Sequence, residues 1–320
     1  MHPSVLVLTH WLDPTADSVI RVLAERDAEV FRCDAADFPQ HLTATGELGG
    51  RGWTGTLRTP HRSVDLEKVV GAYFRRPSRW ELPDGMSGEE RSWASSEAKY
   101  GFGGLLSAAL PWLNSPAAIA AAEYKPVQLH AAVRAGLHVP PTIVTNVPEQ
   151  VEEFAAVHGP LVYKSLSGEL VADGGEVKAV YTTPIATRDP GDPSIAYTAH
   201  LFQRQVMDKD CDVRLTVVDD AMFAVALRSS STTGHLDWRR DYDSVSYEPV
   251  DVPPRVADGV RALMRDLHLR YDALDFAVTT TGVWLFYEIN PNGQWGWIED
   301  ATGLPIAEAI ADALIKTGAH

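Results

Sequence analysis

Residues 271–297 read YDALDFAVTTTGVWLFYEINPNGQWGW, and this stretch decides the fold. Residues 274–279 alternate and are rich in β-formers, Thr280 to Gly282 is turn chemistry, and 283–289 is a second apolar strand. The two runs predict a hairpin with one acid on each arm, Asp275 and Glu288. Asn290 lies two residues beyond Glu288, so both share a face. An Asp, a Glu and an Asn amide oxygen on one face make a hard-oxygen site. Such a site suits Mg²⁺, which keeps several waters and takes further ligands from nucleotide phosphates. The competing reading is a hairpin with solvated acids, which suffices for Asp275 alone. It fits Glu288 and Asn290 less well, because Trp284, Phe286, Tyr287, Trp295 and Trp297 flank them. A charge buried among such residues is costly unless a cation pairs it. Taken together, the three residues point to a metal.

The rest of the composition bounds what can be built around that hairpin. A chain of 320 residues, 45% hydrophobic, buries an ample core and predicts two or three lobes. A net charge of −15 leaves no basic excess to displace counterions, which argues against general nucleic-acid or anionic-membrane binding. Nucleotide binding needs only a local basic cleft and stays open. Two cysteines, Cys33 and Cys211, make neither a disulfide framework nor a four-thiolate zinc site, and a reducing cytoplasm is expected. The start, MHPSVLVLTH, reads as a short strand rather than a signal peptide. No run reaches the ~18 apolar residues that span a bilayer.

Working outward, residues 4–8 form a buried strand, 15–26 a helix and 29–32 a second strand. This β-α-β opening predicts a parallel sheet, hence an α/β chain. Residues 48–59 read as a glycine-bounded hairpin, 69–74 as a buried strand ending in Arg75-Arg76, and 88–110 as a long helix. Within it Gly101 to Gly104 (GFGG) is taken to relieve packing. Residues 117–136 are helical, split by Pro126 and capped by Gly136. Strands follow at 142–145, 161–165, 177–182, 197–206, 213–218 and 222–228, with helices at 148–158, 253–267 and 303–316. The Ser/Gly-rich loop 165–175 follows a strand, as a phosphate-cradling loop does, yet it matches neither common phosphate-loop motif.

Four cationic residues stand in apolar or glycine-rich surroundings: Lys125 before Pro126, Lys164 in LVYKSLSG, Arg214 in DVRLTVV and Arg239 in DWRRD. A lysine inside an apolar strand is unusual, since Lys is rarely buried unpaired, and nucleotide phosphates would pair it. Any one of them reads equally well as a snorkelling surface cation. Four together with a three-oxygen metal triad do not. Other chemistries lack their signatures: no H-E-x-x-H and no G-x-S-x-G occur, and Cys211 has no His nearby in sequence and reads as a buried thiol.

LVYKSLSG, FQRQVMDKDCDVRLTVV and LDFAVTTTGVWLFYEINPNGQW resemble the central and C-terminal lobes of ATP-grasp enzymes over residues 114–318. YFRRPSRW, ERSWASSEAKYGFGGLL, NSPAAIAAAEYKPVQL, DWRRDY and EINPNGQWGWIED resemble one branch of them, the ribosomal-peptide maturases related to microviridin macrocyclases (graspetide synthetases). The resemblance implies an ATP-grasp fold with a pre-ATP-grasp α/β domain at 1–115, a central lobe at 116–200 and a C-terminal lobe with the Mg²⁺ site at 201–320. It implies ATP and Mg²⁺ as cofactors and a ribosomal precursor peptide, leader and core, as partner. ATP would phosphorylate an Asp or Glu carboxylate of the peptide, and a Thr or Ser hydroxyl or a Lys amine would close an ester or amide ring.

Carried over by position, Lys125 and Lys164 hold ATP, Gln203 and Val206 meet adenine, and Asp208 reaches ribose. Arg214 and Arg239 are catalytic, and Asp275, Glu288 and Asn290 bind Mg²⁺. Many such hinges carry Glu where this chain has Gln203. Loop 165–175 is expected to act as a lid and loop 183–194 to meet the leader. Arg75 and Arg76 would steer an acidic core peptide, Trp295 would form a wall between nucleotide and peptide, and a homodimer is expected. The rival readings are a ligase joining an amino acid to a small molecule or protein tail, and a non-catalytic binding protein on the same fold.

Overall fold

The computed structural model describes residues 2–167, 170–173, 176–185 and 192–316. Loops 165–175 and 183–194, expected as lid and leader contact, therefore lie partly outside the described residues. The chain opens as the β-α-β pattern predicts. Ser4–Leu8 pairs in parallel with Glu29–Cys33 on one side and Val69–Phe74 on the other. Its alternate residues face two cores: Val5 and Val7 join one, Leu6 and Leu8 the other. A strand buried on both faces is what a near-continuous apolar run encodes. One face is covered by helices Pro14–Glu25 and Ile306–Lys316. Gly71 makes the second contact close: a Cβ there would lie 2.1 Å from the Leu314 carbonyl oxygen. The other face carries the antiparallel sheet of Thr43–Gly49, Gly52–Arg58 and Ser63–Asp65, together with the long helix.

That long helix runs from Gly88 to Ala109 but is π-helical over Ala98–Gly103. The expectation that GFGG relieves packing is not met: a Cβ at Gly101, Gly103 or Gly104 would touch nothing within 4 Å. The glycines instead coincide with the wound-out turn.

Two larger antiparallel sheets and the antiparallel pair Leu170–Asp173 with Glu176–Ala179 make up the remaining strands. The four-stranded sheet has the order Thr183–Pro184, Leu161–Lys164, His200–Arg204, Thr142–Thr145, and buries a small core of Val151, Leu161, Ile195 and Phe202. The five-stranded sheet has the order Val245–Pro249, Ala221–Ser229, Lys209–Val218, Tyr271–Thr279, Trp284–Asn290. Its inner face packs on helices Pro116–Ala122, Lys125–Arg134 and Pro254–Asp266. The break between the first two falls at Glu123 and Tyr124, so Pro126 sits in the first turn of the next helix, where its missing N–H is harmless. Among the described residues no helix is long and apolar enough to cross a membrane.

Candidate active site

The site lies between the two antiparallel sheets, and cross-strand register assembles it. Arg214 is opposite Asp275, which is opposite Glu288, so three charged residues form a row across three adjacent strands. The ladder slips between Asp275 and Phe276, leaving Tyr287 as the extra residue of a β-bulge. A bulge re-aims side chains, and here Tyr287 and Glu288 both line the same cavity. Strict alternation would have sent them to opposite faces.

That cavity measures about 260 Å³. Lys164 enters from the four-stranded sheet, its Nζ 3.8 Å from the centre of the Tyr287 ring. Burial lowers the Lys164 pKa to about 8, against the pull of Glu288. Gln203 and Val206 line the cavity as expected. The Gln203 amide donates to Thr142 Oγ1 at 2.9 Å, while its buried Oε1 has no hydrogen-bond partner among the described residues. A small apolar group of Val206, Ala277 and Leu285, with Tyr287 beside it, adjoins.

Glu288 is the electrostatic centre. Lys125 Nζ bonds its Oε2, and Arg239 Nη1 stands 3.5 Å from its Oε1. Burial raises its pKa, but Lys125, Arg239 and Lys164 outweigh that and hold it at about 2. Lys125, Lys164, Arg239 and Glu288 also line a smaller recess that shares its wall with the cavity. Arg214 Nη1 contacts both Asp275 oxygens, at 2.8 and 2.9 Å, and Asn290 Nδ2 donates to Asp275 Oδ2 at 3.3 Å. The expected acids and cations therefore meet at one place.

Asp208 does not line the cavity. It is exposed just before the strand Lys209–Val218, and its carbonyl accepts from Thr280 N. Lys209 stands beside the hinge instead, bonded at 2.9 and 2.8 Å to the two oxygens of Asp212. Burial pushes Asp212 up to about 6 although Lys209 opposes it. Asp237 also enters: it holds Arg239 through Nε (2.9 Å) and Nη2 (3.1 Å) and accepts from Thr182 N, linking the two sheets across the cavity. Lys209, Asp212, Asp237 and Tyr287 were not singled out in the sequence. The D-x-R spacing of Asp212 and Arg214 on one strand was the signal that could have found Asp212.

Two expectations fail. Trp295 is no cavity wall; it is fully buried in the core shared by the parallel sheet and the C-terminal helix. Its ring packs with Val218, Val225 and Tyr271 on the same face of the five-stranded sheet as Arg214 and Asp275, but beyond the charged row. Arg75 is likewise buried, 1% exposed, and donates to Asn292 O and Gln294 Oε1, so it meets no peptide; Arg76 is exposed. Cys211 is buried and its thiol pKa is raised to about 11, as a packed thiol requires.

The residues present fit the ligands that the fold implies. Gln203 Oε1 is a buried acceptor lacking the donor that an amino-purine edge supplies. Asp275 and Glu288 supply carboxylate oxygens, and the Asn290 amide adjoins them with its Nδ2 turned to Asp275. In this state the carboxylates are engaged by Arg214 and Lys125. Among the described residues no group of three or more His, Cys, Asp or Glu is arranged to hold a metal by itself.

A cleft between two antiparallel sheets, with a lysine from one sheet and an Asp-Glu-Asn set from the other, is the arrangement of the ATP-grasp fold. Residues 4–120 match the MvdD pre-ATP grasp domain family. No curated protein sequence matches at a significant level. Among solved structures, the macrocyclase MdnB from Microcystis aeruginosa MRC is 30% identical, with a TM-score of 0.78 over 98% of this chain and 99% of that one. MdnC from the same organism, bound with precursor peptide MdnA, is 27% identical with a TM-score of 0.84 over 98% and 99%. A RiPP-associated ATP-grasp ligase of Chryseobacterium gregarium, in complex with ADP and a leader and core peptide, is 26% identical with a TM-score of 0.88 over 98% and 96%. The chain belongs to this family of RiPP-associated ATP-grasp ligases.

Proposed function

We propose that this protein is an ATP- and Mg²⁺-dependent ligase that closes side-chain rings in a ribosomally made precursor peptide. The observation that carries the reading is the convergence of Lys125, Lys164 and Arg239 on Glu288, beside the Arg214–Asp275 pair, where the cavity and its smaller recess meet. Three cations stand against two carboxylates, Glu288 and the Asp237 that holds Arg239, which leaves a positive surplus. Polyphosphate takes up the surplus, and phosphoryl transfer depends mainly on such positioning and charge neutralisation.

Lys125 and Lys164 hold the phosphates, and Gln203 Oε1 and the Val206 backbone hold adenine. Asp275, Glu288 and Asn290 hold Mg²⁺, which supplies charge neutralisation at the phosphate oxygens when bound. A peptide Asp or Glu carboxylate oxygen attacks the γ-phosphorus, and ADP departs. Arg214 and Arg239 then face the acyl phosphate. A Thr or Ser hydroxyl, or a Lys amine, attacks its carbonyl carbon; inorganic phosphate leaves and a proton is released. Asp237 fixes one wall of the cavity, bonding Thr182 N and holding Arg239 in place, which limits access of water to the acyl phosphate.

The division at residues 115 and 200, action in the cytoplasm and assembly as a homodimer belong to the same proposal. Light scattering of the purified protein tests the last. The decisive experiment for the reaction is mass spectrometry of the precursor encoded beside the gene, incubated with enzyme, ATP and Mg²⁺. Each ring removes one water. A peptide of unchanged mass, with ADP formed only at the rate seen without peptide, refutes the proposal.

A further inference from the structure

The loop Asn290–Trp295 is held by its own backbone in an unusual way. Three successive carbonyls each meet a different buried donor. Asn292 O accepts from Arg75 Nη1 at 2.8 Å, Gly293 O from the Tyr271 hydroxyl at 2.6 Å, and Gln294 O from Arg214 Nη2 at 3.3 Å. The Gln294 side chain repeats the pattern: its Oε1 accepts from Arg75 Nη2 at 2.5 Å and Thr15 Oγ1 at 2.9 Å. Gly293 lets the loop pass. A Cβ there would lie 2.5 Å from the Ala273 methyl and 3.1 Å from Arg214 Nη2.

Arg75 makes this costly. Its side chain has no exposed surface, and its nearest carboxylate, Asp13, stands 3.9 Å away and is itself bonded to Thr9 Oγ1 and Ala16 N. The guanidinium's hydrogen bonds go to a neutral loop instead. Taking a cation out of water for uncharged acceptors loses several kcal/mol unless geometry rewards it.

Topology shows what the geometry is for. The parallel sheet has its first strand between the second and third, so the chain reverses direction at the carboxyl ends of Ser4–Leu8 and Val69–Phe74. Doubly wound sheets bind ligands in the crevice at that point. Here Thr15 and Arg75 are the crevice residues, and what they grip is loop 292–294 of the same chain.

We infer that Arg75 and Gln294 are positioning residues for Arg214: the N-terminal domain uses its ligand crevice to fix the Gln294 carbonyl that orients the Arg214 guanidinium. Asp275 fixes one end of that guanidinium and the loop carbonyl the other, so the plane of Arg214 is set from two domains. The inference that Arg214 then serves catalysis rests on the ligase reading above; its orientation by the loop does not.

The test separates the two. In protein labelled with ¹⁵N-arginine, the Nη resonances of Arg214, assigned by their loss in Arg214→Lys, should be resolved by restricted rotation. In Arg75→Met and in Gln294→Met they should merge. With precursor, ATP and Mg²⁺, kcat should fall on the order of tenfold or more while KM for ATP stays within about twofold. Gln294→Glu keeps the acceptor and should restore both readouts. Gln294→Met leaves the Arg75–Asn292 bond and Asp13 untouched, so it serves if Arg75→Met does not fold. Unchanged Arg214 resonances in the folded variants, even with a lowered melting temperature, overturn the inference and reduce Arg75 to interdomain packing. Merged resonances with an unchanged kcat overturn the catalytic half. A wild-type protein that joins no peptide refutes the ligase reading, and the resonances then decide the orientation alone.

Discussion

Replacing Glu288 by Gln isolates the charge balance at the centre of the site. In the free protein Glu288 is held at about 2, against an ordinary 4.5, because three cations outweigh the effect of its burial. That depression corresponds to about 3 kcal/mol of preference for the anion. The amide is similar in size but leaves Lys125, Lys164 and Arg239 without a shared counterion. The variant should lose about 3 kcal/mol of stability, seen as a fall in melting temperature on the order of 5 °C.

The pH dependence has a definite sign. A carboxylate with a lowered folded pKa contributes fully above its unfolded value and loses that contribution as pH falls towards the folded one. The gap between wild type and Glu288→Gln should therefore be constant from pH 5 to 8 and close below about 4.5. Ligand binding separates metal from phosphate. In EDTA, ADP should bind the variant at least as well as wild type, because the cations no longer answer to Glu288. Added Mg²⁺ should tighten ADP binding to wild type and leave the variant unchanged, and turnover should be lost. Titration calorimetry with and without Mg²⁺ reads both. A variant that keeps full stability, or the full Mg²⁺ enhancement, refutes the reasoning.

Three further outcomes follow from the same geometry. Burial holds Lys164 at about 8, and phosphates favour its protonated form, so ADP binding at pH 8 should take up about half a proton; calorimetry in buffers of different ionisation heat measures it, and Lys164→Met should abolish it. Gln203→Met removes the unpaired acceptor Oε1, so KM for ATP should rise roughly tenfold with kcat little changed in steady-state kinetics. Gly71→Ala drives a methyl into the Leu314 carbonyl and should displace the C-terminal helix, costing about 3 kcal/mol or more in denaturant unfolding, while a Gly101→Ala control, with open space around it, should cost nothing.

Much of the site was legible because it depends on local rules. Asp275, Glu288 and Asn290 stand out as polar residues in apolar strands, and strand alternation brings Asn290 to Asp275. Lys164 and Arg214 are conspicuous for the same reason, each a cation in an apolar strand, although the two strands belong to different sheets. What escaped was whatever a ladder irregularity or a long-range contact decides. Tyr287 reaches the cavity only because the pairing slips at Asp275, which no period of two foretells. Asp237 lies in the charged run DWRRD, and the bond that brings it into the site, from Thr182 N, joins segments far apart in the chain.

The sequence by itself determined the two-stranded acid hairpin, the parallel opening and the set of cations, because hydrophobic period and the expense of burying charge act residue by residue. Only the tertiary structure decided how those charges pair. The row Arg214–Asp275–Glu288 is a matter of register between strands, and register is set by the whole sheet. The same holds for Arg75 and Trp295. Each carries a side chain that sequence alone assigns to a ligand, and each is turned inward, because loop 290–295 seals the contact between the N-terminal sheet and the C-terminal lobe.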